Sequence, residues 1–180
     1  MKRKIFININ IPDKTKKRLV KATEKWQDLP VKLVKEKNLH ITLSFLGFIL
    51  DNAIFDICER VRMATEDIEI FDIEFNKIEF GPSEDDPKTI WISGEANDSL
   101  RLLHENIEKS LGIFVNSKKS FRPHITLGRI RAHKWQELAE KPNIARDFSL
   151  IISVENVDIM ASEFEDEGME YTAIESCPLK

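Results

Sequence analysis

The 180-residue chain has only two cysteines, Cys58 and Cys177, far apart and without a CxxC pairing. They offer no disulfide framework and read as buried free thiols suited to a reducing cytoplasm. No apolar run approaches the roughly 18 residues that a membrane span requires. The opening Met1-Lys-Arg-Lys-Ile-Phe-Ile-Asn-Ile-Asn-Ile is basic and then apolar, but Asn8 and Asn10 interrupt it and Pro12-Asp13 follow at once. It therefore lacks the h-region of a signal peptide and reads as a first β-strand. A basic surplus is missing too. A net charge of −4 excludes a general grip on long nucleic acid while leaving room for a local phosphate site. Low-complexity segments and interdomain linkers are absent. A soluble, cytoplasmic protein is expected.

What is present is ordinary for a globular chain: 42% hydrophobic and 32% charged residues, enough to bury a sizeable core without staples. Lys4–Ile11 alternates isoleucines on one face as a strand does, and Pro12-Asp13 opens a helix that runs towards Leu29-Pro30. Val31–Val34 and Leu39–Leu46 are short extended runs, the second closed by Gly47, and Asp51 is placed to cap a helix. Ile68–Phe80 and Thr89–Ser93 read as strands separated by a loop. Asp98–Leu111 shows helical spacing with Leu100, Leu103, Ile107 and Leu111 towards the core. Pro123–Ile130 is a strand, Lys134–Ala139 a short helix, and Phe148–Ala161 and Met169–Cys177 are closing strands. This order predicts an α+β fold with antiparallel pairing. It also suggests one domain, 1–180, with similar lobes of about 1–80 and 81–180.

Each half carries the same tetrapeptide, His-Ile-Thr-Leu, at His40–Leu43 and His124–Leu127. In a strand, residues two apart share a face. His40 therefore faces with Thr42, and His124 with Thr126, while the Ile and Leu of each segment turn to the core. If the strands lie side by side, two imidazoles and two hydroxyls converge. Two imidazoles can serve as opposed general acid and base near neutrality. Threonine hydroxyls with nearby arginines can hold the oxygens of a tetrahedral phosphate. A metal centre is a weaker reading, because His-x-Thr supplies one strong ligand per strand and no carboxylate or thiol stands at ligand spacing. His104 and His133 read as structural. The stretch Asn116–Lys134 contains Lys118, Lys119, Arg122, Arg129, Arg131 and Lys134 without an acid, whereas Ser162–Glu170 is strongly acidic. The residues alone support a two-histidine site and leave its reaction open.

The segments Asn38-Leu-His-Ile-Thr-Leu-Ser-Phe-Leu-Gly47 and Phe121-Arg-Pro-His-Ile-Thr-Leu-Gly-Arg129 resemble the two-histidine (2H) phosphoesterase superfamily. Within it they are most similar to the bacterial and archaeal RNA 2′,3′-cyclic phosphodiesterases, also called 2′-5′ RNA ligases. The likeness extends to the first strand, to Lys88–Ile92 with Trp91, to the Leu-x-x-Leu-His helix and to Tyr171-Thr-x-Ile. It implies a bilobal fold of two antiparallel sheets facing a central cleft, helices outside, and no metal or other cofactor. It implies hydrolysis of a 2′,3′-cyclic phosphate, on an RNA end or a nucleoside, to a 2′-phosphomonoester. His40 would be the proton donor and His124 the proton acceptor, with Thr42, Thr126 and Arg129 on the phosphate. Arg129 stands at an odd offset from Thr126, so a bulge or the strand end at Gly128 must re-aim it. Phe45 is also offset and reads first as core, second as a base-stacking contact; Arg122 is a further candidate contact. Ser44 stands where the family often has a basic residue, and the acidic Glu163–Glu170 tail would repel long RNA, so short substrates are the easier fit. ATP-independent 2′-5′ ligation, a non-catalytic nucleotide-binding module and a plain structural domain are the other readings. No membrane partner is expected, and the chain is expected to be monomeric.

Overall fold

The computed structural model describes residues 1–114, 121–165 and 168–180. The alternating isoleucines of the first segment form β1 (Lys2–Asn10), in which Ile5, Ile7 and Ile9 are buried. There follow α1 (Asp13–Thr23), β2 (Val31–Leu33), β3 (His40–Leu50), α2 (Asp51–Thr65), β4 (Phe71–Gly81), β5 (Thr89–Gly94), α3 (Asp98–Leu111) and β6 (His124–Ile130). The chain ends with α4 (Ala132–Gln136), β7 (Arg146–Val154), β8 (Asn156–Glu165) and β9 (Gly168–Pro178). Helix α3 shows most plainly why these elements form. Leu100, Leu103, Ile107 and Leu111 recur every three or four residues and are all fully buried. Each contributes roughly 1.5–3 kcal/mol on leaving water. The Asn97 side chain accepts the Leu100 N–H at 2.9 Å and so caps the first turn.

The fold is α+β, and all its strand pairs are antiparallel. The strand order is β7-β4-β5-β6-β3-β1-β8-β9, with β2 added beside β6. The two sheets are halves of one hydrogen-bonded path, joined at a single residue pair, Ile41 opposite Ile125. One buried cluster runs through both halves and includes Ile41, Ile125, Ile73 and Ile159.

The halves do not divide the chain near residue 80. Strand β4 belongs with β5, β6 and β7, whereas β8 and β9 return to β1 and β3. The crossing falls at Glu155, inside the stretch Phe148–Ala161 expected as one strand. Buried residues there are Leu150, Ile152 and Val154, then Val157, Ile159 and Ala161. That one-residue slip in the period of two ends one strand and starts another on a different neighbour. Two further expectations change. Gly47 does not end β3; at φ +75° it carries the strand on to Leu50. Asp51 is the first residue of α2 rather than its cap, and its carboxylate pairs with Arg3 at 3.1 Å and the N-terminal amine at 3.2 Å.

Candidate active site

Both tetrapeptides open their strands, and β3 and β6 lie side by side. Ile41, Leu43, Ile125 and Leu127 are buried behind them. His40, Thr42, His124 and Thr126 line one cleft of about 600 Å³ between the two halves. The period-two reading thus places all four polar side chains together.

Beyond each threonine the strand departs from regular pairing in the same way. Against β1, Thr42 stands opposite Asn8 and Ser44 opposite Ile7, so Leu43 is an extra residue in β3. Against β5, Thr126 stands opposite Trp91 and Gly128 opposite Ile90, so Leu127 is an extra residue in β6. One extra residue reverses the parity of everything that follows. The side chain three residues past each threonine consequently returns to the cleft face: Arg129 in β6 and Phe45 in β3, both lining the cleft. The bulge expected ahead of Arg129 is present. The core reading of Phe45 is wrong, for it is 57% exposed with its ring 6.1 Å from that of Phe6. Ser44 is buried and outside the cleft lining, so its lack of charge removes no cleft contact. Gly128 serves close packing: a Cβ there would lie 2.5 Å from Val31 Cγ1.

The two imidazoles are held alike. His40 Nδ1 lies 2.7 Å from the carbonyl oxygen of Asn38, and His124 Nδ1 lies 2.9 Å from that of Arg122. A carbonyl only accepts, so each Nδ1 carries the proton and each Nε2 is left for chemistry. They differ at Nε2. That of His40 is 2.9 Å from Thr42 Oγ1, whereas that of His124 has no hydrogen-bond partner among the described residues. Burial pushes both imidazoles below their ordinary pKa. The carbonyl hydrogen bonds act in the opposite sense. The charges of His124, Arg129 and Lys16 lower His40 further, and that of Arg122 lowers His124. Repulsion from His124 disfavours double protonation, so the pair is suited to holding one proton, one ring acting as acid and the other as base.

Aromatic rings enclose the site. Trp91 lies 4.3 Å from the His124 ring, while Phe6 and Tyr171 lie 5.1 Å and 5.4 Å from His40. Gly81 makes room for Trp91, since a Cβ there would approach its indole to 2.4 Å. Lys4 and Lys32 add positive charge to the lining. Phe6, Lys4 and Lys32 carried no sequence signal as site residues, because each enters through strand pairing alone.

Arg122 does not line the cleft. Its guanidinium is bound by Glu79 and Ser93 and lies over the Trp91 ring. Burial works to raise the Glu79 carboxyl, but hydrogen bonds from Ser93 and Lys77 and the charges of Arg122 and Lys77 hold it below the usual range. Arg122 reaches the site only through its backbone carbonyl on His124. The acidic tail is partly compensated: Glu170 pairs with Lys35 at 3.5 Å and Lys37 at 2.5 Å, and Asn38 Nδ2 donates to the Met169 carbonyl at 2.7 Å. Lys118 and Lys119 lie outside the described residues. His104 stacks on Phe121 at 4.1 Å and His133 is exposed beside Glu137, both away from the cleft. Among the described residues no group of three metal-ligating side chains occurs, and no helix is long and apolar enough to cross a membrane.

The chain is similar to known proteins over nearly its whole length. An RNA 2′,3′-cyclic phosphodiesterase of Thermotoga maritima is 28% identical over 178 residues, covering 96% of this chain and 93% of that protein. The crystal structure of TT0787 of Thermus thermophilus superposes with a TM-score of 0.82 at 26% identity, covering 98% of this chain and 97% of that one. Escherichia coli LigT shares the fold at a TM-score of 0.81 and 20% identity, with 99% and 98% covered. A family model described as the 2′-5′ RNA ligase superfamily matches residues 12–163. With that match over most of its length and a twofold His-Ile-Thr-Leu cleft at its centre, the chain belongs to the 2′-5′ RNA ligase superfamily.

Proposed function

We propose that the chain hydrolyses the 2′,3′-cyclic phosphate at an RNA end, or on a short oligonucleotide or nucleotide, to a 2′-phosphomonoester. The observation that carries this reading is the pair of imidazoles on adjacent strands, each with Nδ1 anchored on the carbonyl two residues back and Nε2 left for chemistry at one cleft. The name of the Thermotoga maritima relative supports the substrate. Water gives a proton to His124 Nε2 and attacks phosphorus. The bond from phosphorus to O3′ breaks, and O3′ takes the proton from His40 Nε2. Thr42, Thr126 and Arg129 hold the non-bridging oxygens as charge shifts onto them. Phe45 faces the base, and Arg122 acts through its carbonyl.

His40 begins with a lowered pKa, which at first sight suits an acid poorly. An incoming phosphate brings negative charge to a site where neighbouring cations had disfavoured the imidazolium, and so raises it. Substrate binding thereby loads the acid. The freer Nε2 of His124 suits the base. The protein is read as a cytoplasmic monomer that needs no metal. With a 5′-hydroxyl in place of water the same site would join RNA ends by a 2′-5′ linkage, the second reading that the family's description supports.

The test uses an oligonucleotide ending in a 2′,3′-cyclic phosphate, with EDTA present, and maps the product. A 2′-phosphate is expected. Replacing His40 or His124 by Ala should slow the reaction by about 10²–10⁴-fold, the range for a lost general acid or base. Undiminished turnover in both variants would sink the mechanism, and a requirement for added metal would sink the site.

A further inference from the structure

The cleft opens onto an aromatic sheet face that the two-histidine chemistry does not use. Directly opposed residues in antiparallel strands share a face. Phe45 stands opposite Phe6, Phe48 opposite Lys4 and Leu50 opposite Lys2. Lys4 also stands opposite Ser162, and Ser162 opposite Tyr171. Lys4, Phe6, Phe45, Ser162 and Tyr171 line the cleft, so Phe48 and Leu50 continue the same face away from His40. Phe164, two residues past Ser162, stands at the cleft rim. Phe48 is 73% and Phe164 78% exposed.

A single exposed phenylalanine needs no explanation. Here several lie on one face with Lys2 and Lys4 between them, and the exposed residues of β1 and β3 on that face include no acid. The face is continuous with the site that receives the 3′ end. Aromatic rings spaced along a sheet, with cations between, are what unpaired bases and their phosphates require. Double-stranded RNA would keep its bases stacked on each other and leave the rings uncovered.

We propose that Phe48 and Phe164, with Lys2 and Lys4, form a stacking track for the unpaired nucleotides that precede the cyclic phosphate. It rests on the phosphodiesterase reading and adds to it: the preferred substrate is a single-stranded RNA end, not a nucleoside cyclic phosphate. The short substrates favoured by the acidic tail are thereby set aside, since Lys35 and Lys37 engage Glu170.

The test compares kcat/KM for a single-stranded hexanucleotide and for a nucleoside, both with 2′,3′-cyclic phosphate. The wild type should favour the hexanucleotide. Phe48→Ala should lower that ratio by about 5- to 100-fold, the worth of one base stacked on an aromatic ring, and Phe48→Tyr should restore it. Phe164→Ala should act in the same direction. A wild-type ratio near one overturns the track, as does a blunt duplex end turned over equally well. So does an equal loss on both substrates in Phe48→Ala, or a ratio kept while Phe48→Ala converts a dimer to monomer in sedimentation. Fluorescence anisotropy of a labelled hexanucleotide bearing a 3′-phosphate separates this from the underlying reaction. If neither substrate turns over, the phosphodiesterase reading fails; weaker binding by Phe48→Ala then still supports the track, and unchanged binding still overturns it.

Discussion

Gly128→Ala tests how the bulge in β6 aims Arg129. The new Cβ would sit 2.5 Å from Val31 Cγ1 and 3.4 Å from Leu33 Cδ2. Restoring ordinary contact at 3.4 Å requires a displacement of about 0.9 Å, the difference between 3.4 and 2.5. Val31 is buried and β-branched, so rotamer change offers little relief, and the backbones of β2 and β6 must separate. Overpacking of this kind costs about 1–3 kcal/mol. For a chain of this size that lowers Tm by roughly 2–12 °C. The same shift moves Arg129, one residue on, and a misplacement near 1 Å can cost about 10²-fold in rate. Val31→Ala alone should cost about 1.6 kcal/mol for two buried methyl groups. Combined with Gly128→Ala it should recover part of the lost stability and rate, giving a favourable coupling in the double-mutant cycle. Thermal melts and kcat/KM on a cyclic-phosphate oligonucleotide measure both effects. An unchanged Tm and rate in Gly128→Ala, or strict additivity with Val31→Ala, would refute the view that β2 packing on the bulge sets Arg129.

Arg129→Ala should reduce kcat/KM far more than Arg122→Ala, because one guanidinium lines the cleft while the other is bound by Glu79 and Ser93; equal losses in steady-state assays would contradict the assignment. The pH profile has a definite sense. His40 must carry a proton and His124 must not, and burial lowers both pKa values, so kcat/KM, which reports the free enzyme, should peak on the acid side of about pH 6.5. The alkaline limb of kcat should lie higher, because bound phosphate raises His40; superimposable alkaline limbs would show that substrate does not load the acid.

Much of the site could be read before folding was considered. His40 with Thr42, and His124 with Thr126, follow from a period of two, which depends only on the local backbone. Helix α3 and its buried leucines follow from helical spacing in the same way, and the phase slip at Glu155 is visible in the isoleucine and valine pattern once it is sought. The fates of Phe45 and Arg129 could not be read with the same security. Parity holds only while a strand pairs regularly, and the extra residues Leu43 and Leu127 exist only relative to β1 and β5. Arg122 had the right charge beside the right motif, yet Glu79, 43 residues earlier, claims its guanidinium. Glu170 looked like part of a repelling tail until Lys35 and Lys37 were brought to it across more than 130 residues of chain. Which side chains can share a face is written locally in the sequence. Which of them meet, and which are already occupied by a partner, is settled only when distant strands are laid side by side.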